Sequence, residues 1–308
     1  MLNHMLVVAT QVLMLFLMIG VGWICAAKKI LTNAGADQLS RISLNIITPC
    51  VIINSLQQER NMQVIRDMGI CILAGMAAIL LGTFLSCFFF RGSDKNERRV
   101  LRFAMSYPNS GYMGIPLVQA VLGDEAVLYA AGFVTAFNFV LWTSGVCLMG
   151  GREEISLRKA LINPGTLGFA AALLLFALNI TLPGPIGGAV SMFADMNTPI
   201  AMLAIGVFIA SASLKQCFKQ ARLYGVCALR LIAVPAIMLA VLYPLHLSAS
   251  MYTALIICTC APTAAATSMF ASRYRRDTGL ASQSVTLCTL LSILTMPVFA
   301  ALAQVLAC

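Results

Sequence analysis

The run Ser106-Tyr107-Pro108-Asn109-Ser110-Gly111-Tyr112-Met113-Gly114-Ile115-Pro116 interrupts an apolar segment long enough to cross a lipid bilayer. Each proline lacks an amide donor and clashes with the preceding turn, so the pattern predicts a broken helix. In hydrocarbon the freed backbone groups need partners, and such a break is tolerated only where protein or a wet cavity covers it. A second interruption, Ala261-Pro262-Thr263-Ala264-Ala265-Ala266-Thr267-Ser268, follows about half a chain later. Paired interruptions in two halves of a chain point to a binding site near the midplane of a secondary transporter.

Composition fits that frame. Of 308 residues, 60% are hydrophobic and 10% charged, against roughly 25% charged in ordinary globular chains. This predicts an all-α polytopic membrane protein whose constant partner is the lipid bilayer. The net charge of +9 does not imply nucleic acid, because the basic residues form short clusters between apolar segments. The eleven cysteines are scattered in apolar surroundings without zinc-type spacing, and the two histidines, His4 and His246, lie near segment ends. Neither a metal nor another cofactor is expected. Paired carboxylates within a segment, a nucleotide-binding loop and a serine–histidine arrangement are all missing, so no enzyme is expected.

Taking about 20 apolar residues per crossing, ten segments are predicted, near 5–27, 38–57, 67–90, 100–121, 126–149, 163–182, 190–212, 221–243, 250–271 and 280–305. They are numbered 1 to 10 below, and segment 1 is read as a retained span. Seventeen of the twenty basic residues fall in odd-numbered loops: Lys28, Lys29, Arg41; Arg91, Lys95, Arg98, Arg99, Arg102; Arg152, Arg158, Lys159; Lys215, Lys219, Arg222; Arg273, Arg275, Arg276. Even-numbered loops hold Arg60 and Arg66, and Arg230 lies within segment 8. Positive charge stays cytoplasmic, which predicts both termini on the outer side.

Five segments per half require the second half to insert upside down. Three matches support a duplication. Asn45-Ile46-Ile47-Thr48-Pro49 parallels Asp195-Met196-Asn197-Thr198-Pro199, Pro108-Asn109 parallels Pro262-Thr263, and Asp124 parallels Asp277, at offsets of 150 to 154 residues. Two inverted five-segment repeats, 1–150 and 151–308, are expected, joined by the short hinge Gly150-Gly151-Arg152-Glu153-Glu154.

Within segments 4 and 9, Asn109 or Ser110 and Thr263 are placed to cap the second half-helices. The positive helix ends would then face the breaks and attract an anion, with a carboxylate well suited to several N–H donors. Pro108, Asn109, Ser110, Gly111, Pro262 and Thr263 are therefore candidate substrate residues, joined by Asn45 and Asn138. Thr289 and Ser292 add polar points in segment 10. Thr48 and Thr198 precede prolines, and with Asp195 they are candidates for a proton or a coupling ion. A solvated, end-of-segment role for Asp195 stands beside that reading. Arg230 is costly at its depth; it snorkels to the cytoplasmic end, the favoured reading, or meets an anion or an inward carbonyl. Gly20, Gly22, Gly75 and Gly82 read as close-packing positions.

These residues resemble the auxin efflux carrier family, which includes bacterial malonate- and malate-type permeases and plant auxin exporters. The likeness is carried by Leu44-Asn45 through Pro49, Pro108 through Pro116, Asn163-Pro164, Ala261-Pro262-Thr263 and Leu291 to Pro297. It implies ten spans in two inverted repeats, crossing broken helices 4 and 9, alternating access, and organic-anion substrates such as mono- or dicarboxylates held at Pro108, Asn109 and Pro262. The long cytoplasmic loop of the plant members is missing, which fits a bacterial-type permease in the inner membrane. Proton or sodium coupling and a homodimer stay open. Two alternatives stand: a sodium-coupled carrier like the bile-acid symporters, and a membrane anion sensor that binds without transporting.

Overall fold

The computed structural model describes residues 2–57, 61–90, 94–151, 153, 162, 164–212 and 214–307, with backbone alone for 2–9, 164 and 165. Arg60, Arg91, Arg152, Glu154, Arg158, Lys159 and Asn163 lie outside the described residues. Among the described residues the regular structure is helical, and the only strand-like pairing is one antiparallel bridge between Pro108 and Thr263.

Six helices are long and apolar enough to cross a membrane: Thr10–Ala27, Met62–Phe88, Asp124–Met149, Gly184–Ser211, Ala221–Leu245 and Thr278–Leu306. They fall on predicted segments 1, 3, 5, 7, 8 and 10. The chain is thus an all-helical, multi-pass membrane protein. Predicted segment 2 is a continuous helical run over 33–55 with a π-turn inside it, segment 6 shows the short helix Pro164–Ala177, and segments 4 and 9 are each in two pieces. Segment 4 divides into Lys95–Ser106 and Ser110–Leu122, and segment 9 into Ala249–Cys260 and Ala266–Arg273. Many helix starts are written in the sequence. Thr32, Asn61, Asp94, Ser248 and Asp277 each accept a bond from an amide two or three residues on, as short polar side chains do at N-caps. The Asn96 amide that bonds Asp94 also holds its carboxyl below the usual carboxylate range.

Most prolines are absorbed without a break. The π-helical turns Ser43–Ile47, Ser110–Gly114 and Leu229–Ala233 each end two residues before a proline, at Pro49, Pro116 and Pro235. A widened turn shifts the bonding by one residue and so accommodates the missing donor. Pro199 sits in the first turn of Asn197–Ser211, where no donor is needed. Pro297 lies inside the continuous Thr278–Leu306. Pro116, expected to help break segment 4, therefore does not; segment 4 leaves helix at Pro108 and segment 9 at Pro262.

Small residues let the helices approach. Gly22 and Gly206 bring segments 1 and 7 into backbone contact: a methyl group on Gly22 would overlap the Leu203 carbonyl. Gly75 packs 3.2 Å from the Phe133 backbone and Gly82 3.1 Å from Ser106 Cα, measured from an added Cβ. Close backbone approach is how helices associate where lipid offers no hydrophobic incentive. Gly20 differs from expectation. It faces open space, because it lies off the stripe that meets segment 7.

Hydrogen bonds gather loops 3, 5, 7 and 9 at one end of the molecule. Arg222 pairs with Glu97. Arg276 bonds Asn96 Oδ1 at 2.5 Å and the Met149 carbonyl at 3.0 Å, while Arg99 bonds the Met149 and Gly150 carbonyls at 3.0 Å. At the other end, Leu182 donates to Gln57 Oε1 at 2.8 Å. A cleft of about 280 Å³ there is lined by Asn54, Gln57, Gln119, Asp124, Glu125 and Asp195, among others. The charge alternation along the chain thus becomes a difference between two ends of one bundle.

Candidate functional site: the crossing of segments 4 and 9

The helix Lys95–Ser106 ends at Tyr107, whose backbone is extended, and the helix Ala249–Cys260 ends at Ala261, also non-helical. The two freed stretches run antiparallel and satisfy each other. The Asn109 amide donates to the Pro262 carbonyl at 2.6 Å, and the Ala264 amide to the Tyr107 carbonyl at 2.9 Å. Neither proline can donate, so the two donors are residues that follow them, Asn109 and Ala264. This is how irregular backbone persists inside a membrane bundle. Pro108, Pro262 and Thr263 are all buried.

The predicted caps act differently from expectation. Asn109 occupies the position before the turn Ser110–Gly114 but makes no side-chain cap bond. Its backbone carbonyl instead accepts the Met113 amide at 2.9 Å. Its side-chain nitrogen has no protein partner, although the residue is only 5% exposed. The Ser110 hydroxyl is buried and unpartnered as well. Thr263 donates to the Ala104 carbonyl at 2.9 Å, closing the end of the opposite half-helix rather than starting its own. The helix Ala266–Arg273 begins three residues later with Ala265 before it, and the buried Thr267 hydroxyl has no partner. The tertiary crossing claims Thr263 and leaves Asn109 free.

Arg230 does not snorkel. It is fully buried and donates to main-chain carbonyls: Nε to Ala261 at 3.2 Å, one terminal nitrogen to Met105 at 3.4 Å, and the other to Thr259. Of the two roles set beside snorkelling, the structure places it on inward carbonyls.

Two side-chain bonds tie segment 4 to segments 2 and 7 beside the crossing. Tyr112 donates to the Ser40 carbonyl at 3.0 Å, and Asn197 donates from Nδ2 to the Gly111 carbonyl at 3.4 Å. Asn197 was within reach of sequence reasoning. It stands beside a Thr-Pro pair in an apolar segment, but its charged neighbour Asp195 drew the attention. Tyr107 was also missed; its hydroxyl meets Ser144 Oγ at 2.5 Å and the Val140 carbonyl at 3.3 Å. Gly145 gives that ring room, since an added Cβ would lie 3.2 Å from it.

Two of the other predicted residues, Asn45 and Asp195, are exposed where the crossing is buried. Asn45 is exposed and bonds back to the Arg41 carbonyl at 2.6 Å. Asp195 is exposed in the cleft with Asp124 and Glu125, which fits the solvated reading. Thr48 and Asn138 are buried within their own helices, and Thr198 is half-buried. The Thr289 hydroxyl is buried without a partner, and Ser292 donates to the Thr289 carbonyl at 2.7 Å.

The family model described as "Membrane transport protein" matches residues 7–156 and 153–300. The chain belongs to this family. An "Uncharacterized transporter" of Methanothermobacter thermautotrophicus is 23% identical over 298 residues, covering 94% of this chain and 96% of that protein. "Auxin efflux carrier component 3a" of Oryza sativa subsp. japonica is 28% identical over 133 residues, covering 42% of this chain and 21% of that protein. The resemblance to the auxin efflux carrier family is thereby established, and the chain is a multi-pass membrane transport protein.

Gly111 tells how much room the crossing offers. A Cβ there would meet nothing within 4 Å. Gly111→Val is expected to leave thermal stability nearly unchanged while raising the KM for transported substrate, because added volume enters free space beside Asn109. Equal KM values for both proteins would place the substrate elsewhere.

Proposed function

We propose that this protein is a secondary active transporter of small organic anions, mono- or dicarboxylates, working by alternating access. The observation that carries the reading is the buried Asn109 amide nitrogen, left without a partner where two interrupted helices meet. Buried donors are nearly always satisfied, so an orphan at such a crossing calls for a ligand acceptor. In this reading a carboxylate accepts from Asn109 Nδ2, from the Ser110 hydroxyl and from the free amides that open the second half of segment 4. Pro108 and Pro262 keep both stretches out of helix, and Thr263 holds their crossing.

The architecture proposed is ten spans in two inverted repeats, 1–150 and 151–308. The paired interruptions, the duplicated motifs and the meeting of the two matched stretches near residue 153 support it. Segments 1, 2, 6 and 7 form the support against which 3–5 and 8–10 move. The backbone contact between segments 1 and 7 suits a rigid support. Tyr112–Ser40 and Asn197–Gly111 then bridge the moving interface and break as it slides. The odd-numbered loops with their arginines face the cytoplasm of a bacterial inner membrane, and both termini lie outside.

Counterflow in proteoliposomes tests the reading. Vesicles loaded with unlabelled malonate are expected to accumulate labelled malonate transiently, and other carboxylates added outside should compete. Binding seen as thermal stabilisation, with no exchange, would replace the transporter by a sensor.

A further inference from the structure

The fully buried Arg230 hydrogen-bonds to both interrupted segments, and its partners are all backbone carbonyls near their ends. Met105 lies in the last turn of Lys95–Ser106, and Thr259 and Ala261 close Ala249–Cys260. The last four carbonyls of a helix have no partner within it. Here several carbonyls at the two helix ends are claimed by groups from elsewhere in the bundle or from the turn that follows. The Tyr107 amide takes Phe103 at 3.1 Å, Thr263 takes Ala104, and Arg230 takes Met105, Thr259 and Ala261.

The charge count decides what this does. A helix end carries about half an elementary charge, negative at the C-terminus and positive at the N-terminus. Two C-terminal and two N-terminal ends meet at this crossing, so the four helix ends sum to about zero. Arg230 adds a full positive charge on the side of the carbonyls. We propose that Arg230 is a positioning and charge-selecting residue: it neutralises the carbonyl ends of both first half-helices and so gives the crossing its net positive potential, without touching the anion. This rests on the carboxylate reading given above, and it reassigns Arg230 from anion partner to the source of anion selectivity. The orphaned side-chain donor of Asn109 marks where that potential is used. Two consequences are separable. The guanidinium fork supplies several hydrogen bonds and hence stability. The charge alone supplies selectivity, and a lysine would retain it.

The test uses the purified full-length protein with Arg230→Lys, Arg230→Gln, Asn109→Asp and the double variant Asn109→Asp/Arg230→Gln. Thermal unfolding is followed in detergent and labelled malonate uptake in proteoliposomes. At an effective dielectric of about 20, removing a unit charge within about 10 Å changes anion affinity by roughly tenfold or more. Arg230→Gln is therefore expected to raise the KM for malonate by that factor. Arg230→Lys should unfold at a lower temperature than the parent and keep the KM within about threefold, since its charge remains. An unchanged KM in Arg230→Gln overturns the proposal, as does an Arg230→Lys KM raised as far as that of the glutamine variant. If Arg230→Gln does not fold, Arg230→Lys decides alone: a KM raised about tenfold would mean that the fork, and not the charge, matters. If the parent takes up no malonate, the transport reading fails for that anion, and unfolding at pH 8 still decides the charge. A carboxylate introduced by Asn109→Asp should lower the unfolding temperature much more beside Arg230→Gln than beside Arg230. Equal shifts in the two backgrounds overturn the proposal whatever the substrate.

Discussion

Asn109→Ala is expected to reduce carboxylate uptake in proteoliposomes by roughly tenfold or more while the protein keeps or gains thermal stability. The two effects have one cause. In the unliganded protein the Asn109 side-chain nitrogen is buried with no partner, so alanine removes a polar group that contributes nothing to the fold and costs desolvation. With a carboxylate bound, that nitrogen makes a hydrogen bond to a charged group, worth about 1.5–3 kcal/mol. Its loss corresponds to roughly 10- to 150-fold in uptake measured below KM. The backbone bond from Asn109 to the Pro262 carbonyl is kept by any non-proline residue, so the crossing itself survives. A clear fall in the unfolding temperature would make Asn109 a structural residue. Uptake at the parental rate would remove it from the site.

Gly206→Val is expected to have the largest effect on folding. An added Cβ at Gly206 overlaps the Ile19 carbonyl oxygen and lies 2.7 Å from the Trp23 nitrogen and 2.8 Å from Gly22 Cα. All three are backbone atoms, which cannot swing away as the tip of a side chain would. The helices Leu2–Ala27 and Asn197–Ser211 would have to separate along their contact, at a cost of about 3 kcal/mol or more. The measurement is the yield and elution profile of the variant in mild detergent beside the parent. Gly20→Val is the control, because nothing lies within 4 Å of that position. Similar behaviour of the two variants would contradict the packing of segments 1 and 7.

How far the site was legible in the sequence depends on what each residue needs in order to act. Pro108 and Pro262 were legible because a missing amide is a covalent fact that no packing restores. Pro116 misled for the complementary reason: a π-helical turn, Ser110–Gly114, absorbs it, and that adjustment depends on the neighbouring helix. An added Cβ at Gly114 would lie 3.2 Å from Cys258 Sγ. Thr263 and Asn109 were both read as caps. A cap is a local bond, but the Thr263 side chain answers to the opposite segment across the crossing, and the Asn109 side-chain nitrogen is left without a partner. Arg230 misled because a long stem near a segment end permits snorkelling, and only the arrival of two carbonyl-bearing helix ends at its depth gives the guanidinium better partners than water.

The sequence alone determined that this chain lies in a membrane, that its helices are interrupted twice in matching places, and where many of its helices begin. Those properties follow from hydropathy, from proline covalent structure and from short polar side chains acting on their nearest amides. Only the tertiary structure decided which polar groups at the crossing are satisfied and which stay free. That outcome depends on groups as far apart in sequence as Thr263 and Ala104, 159 residues, and their pairing is set by how the two interrupted helices are packed together.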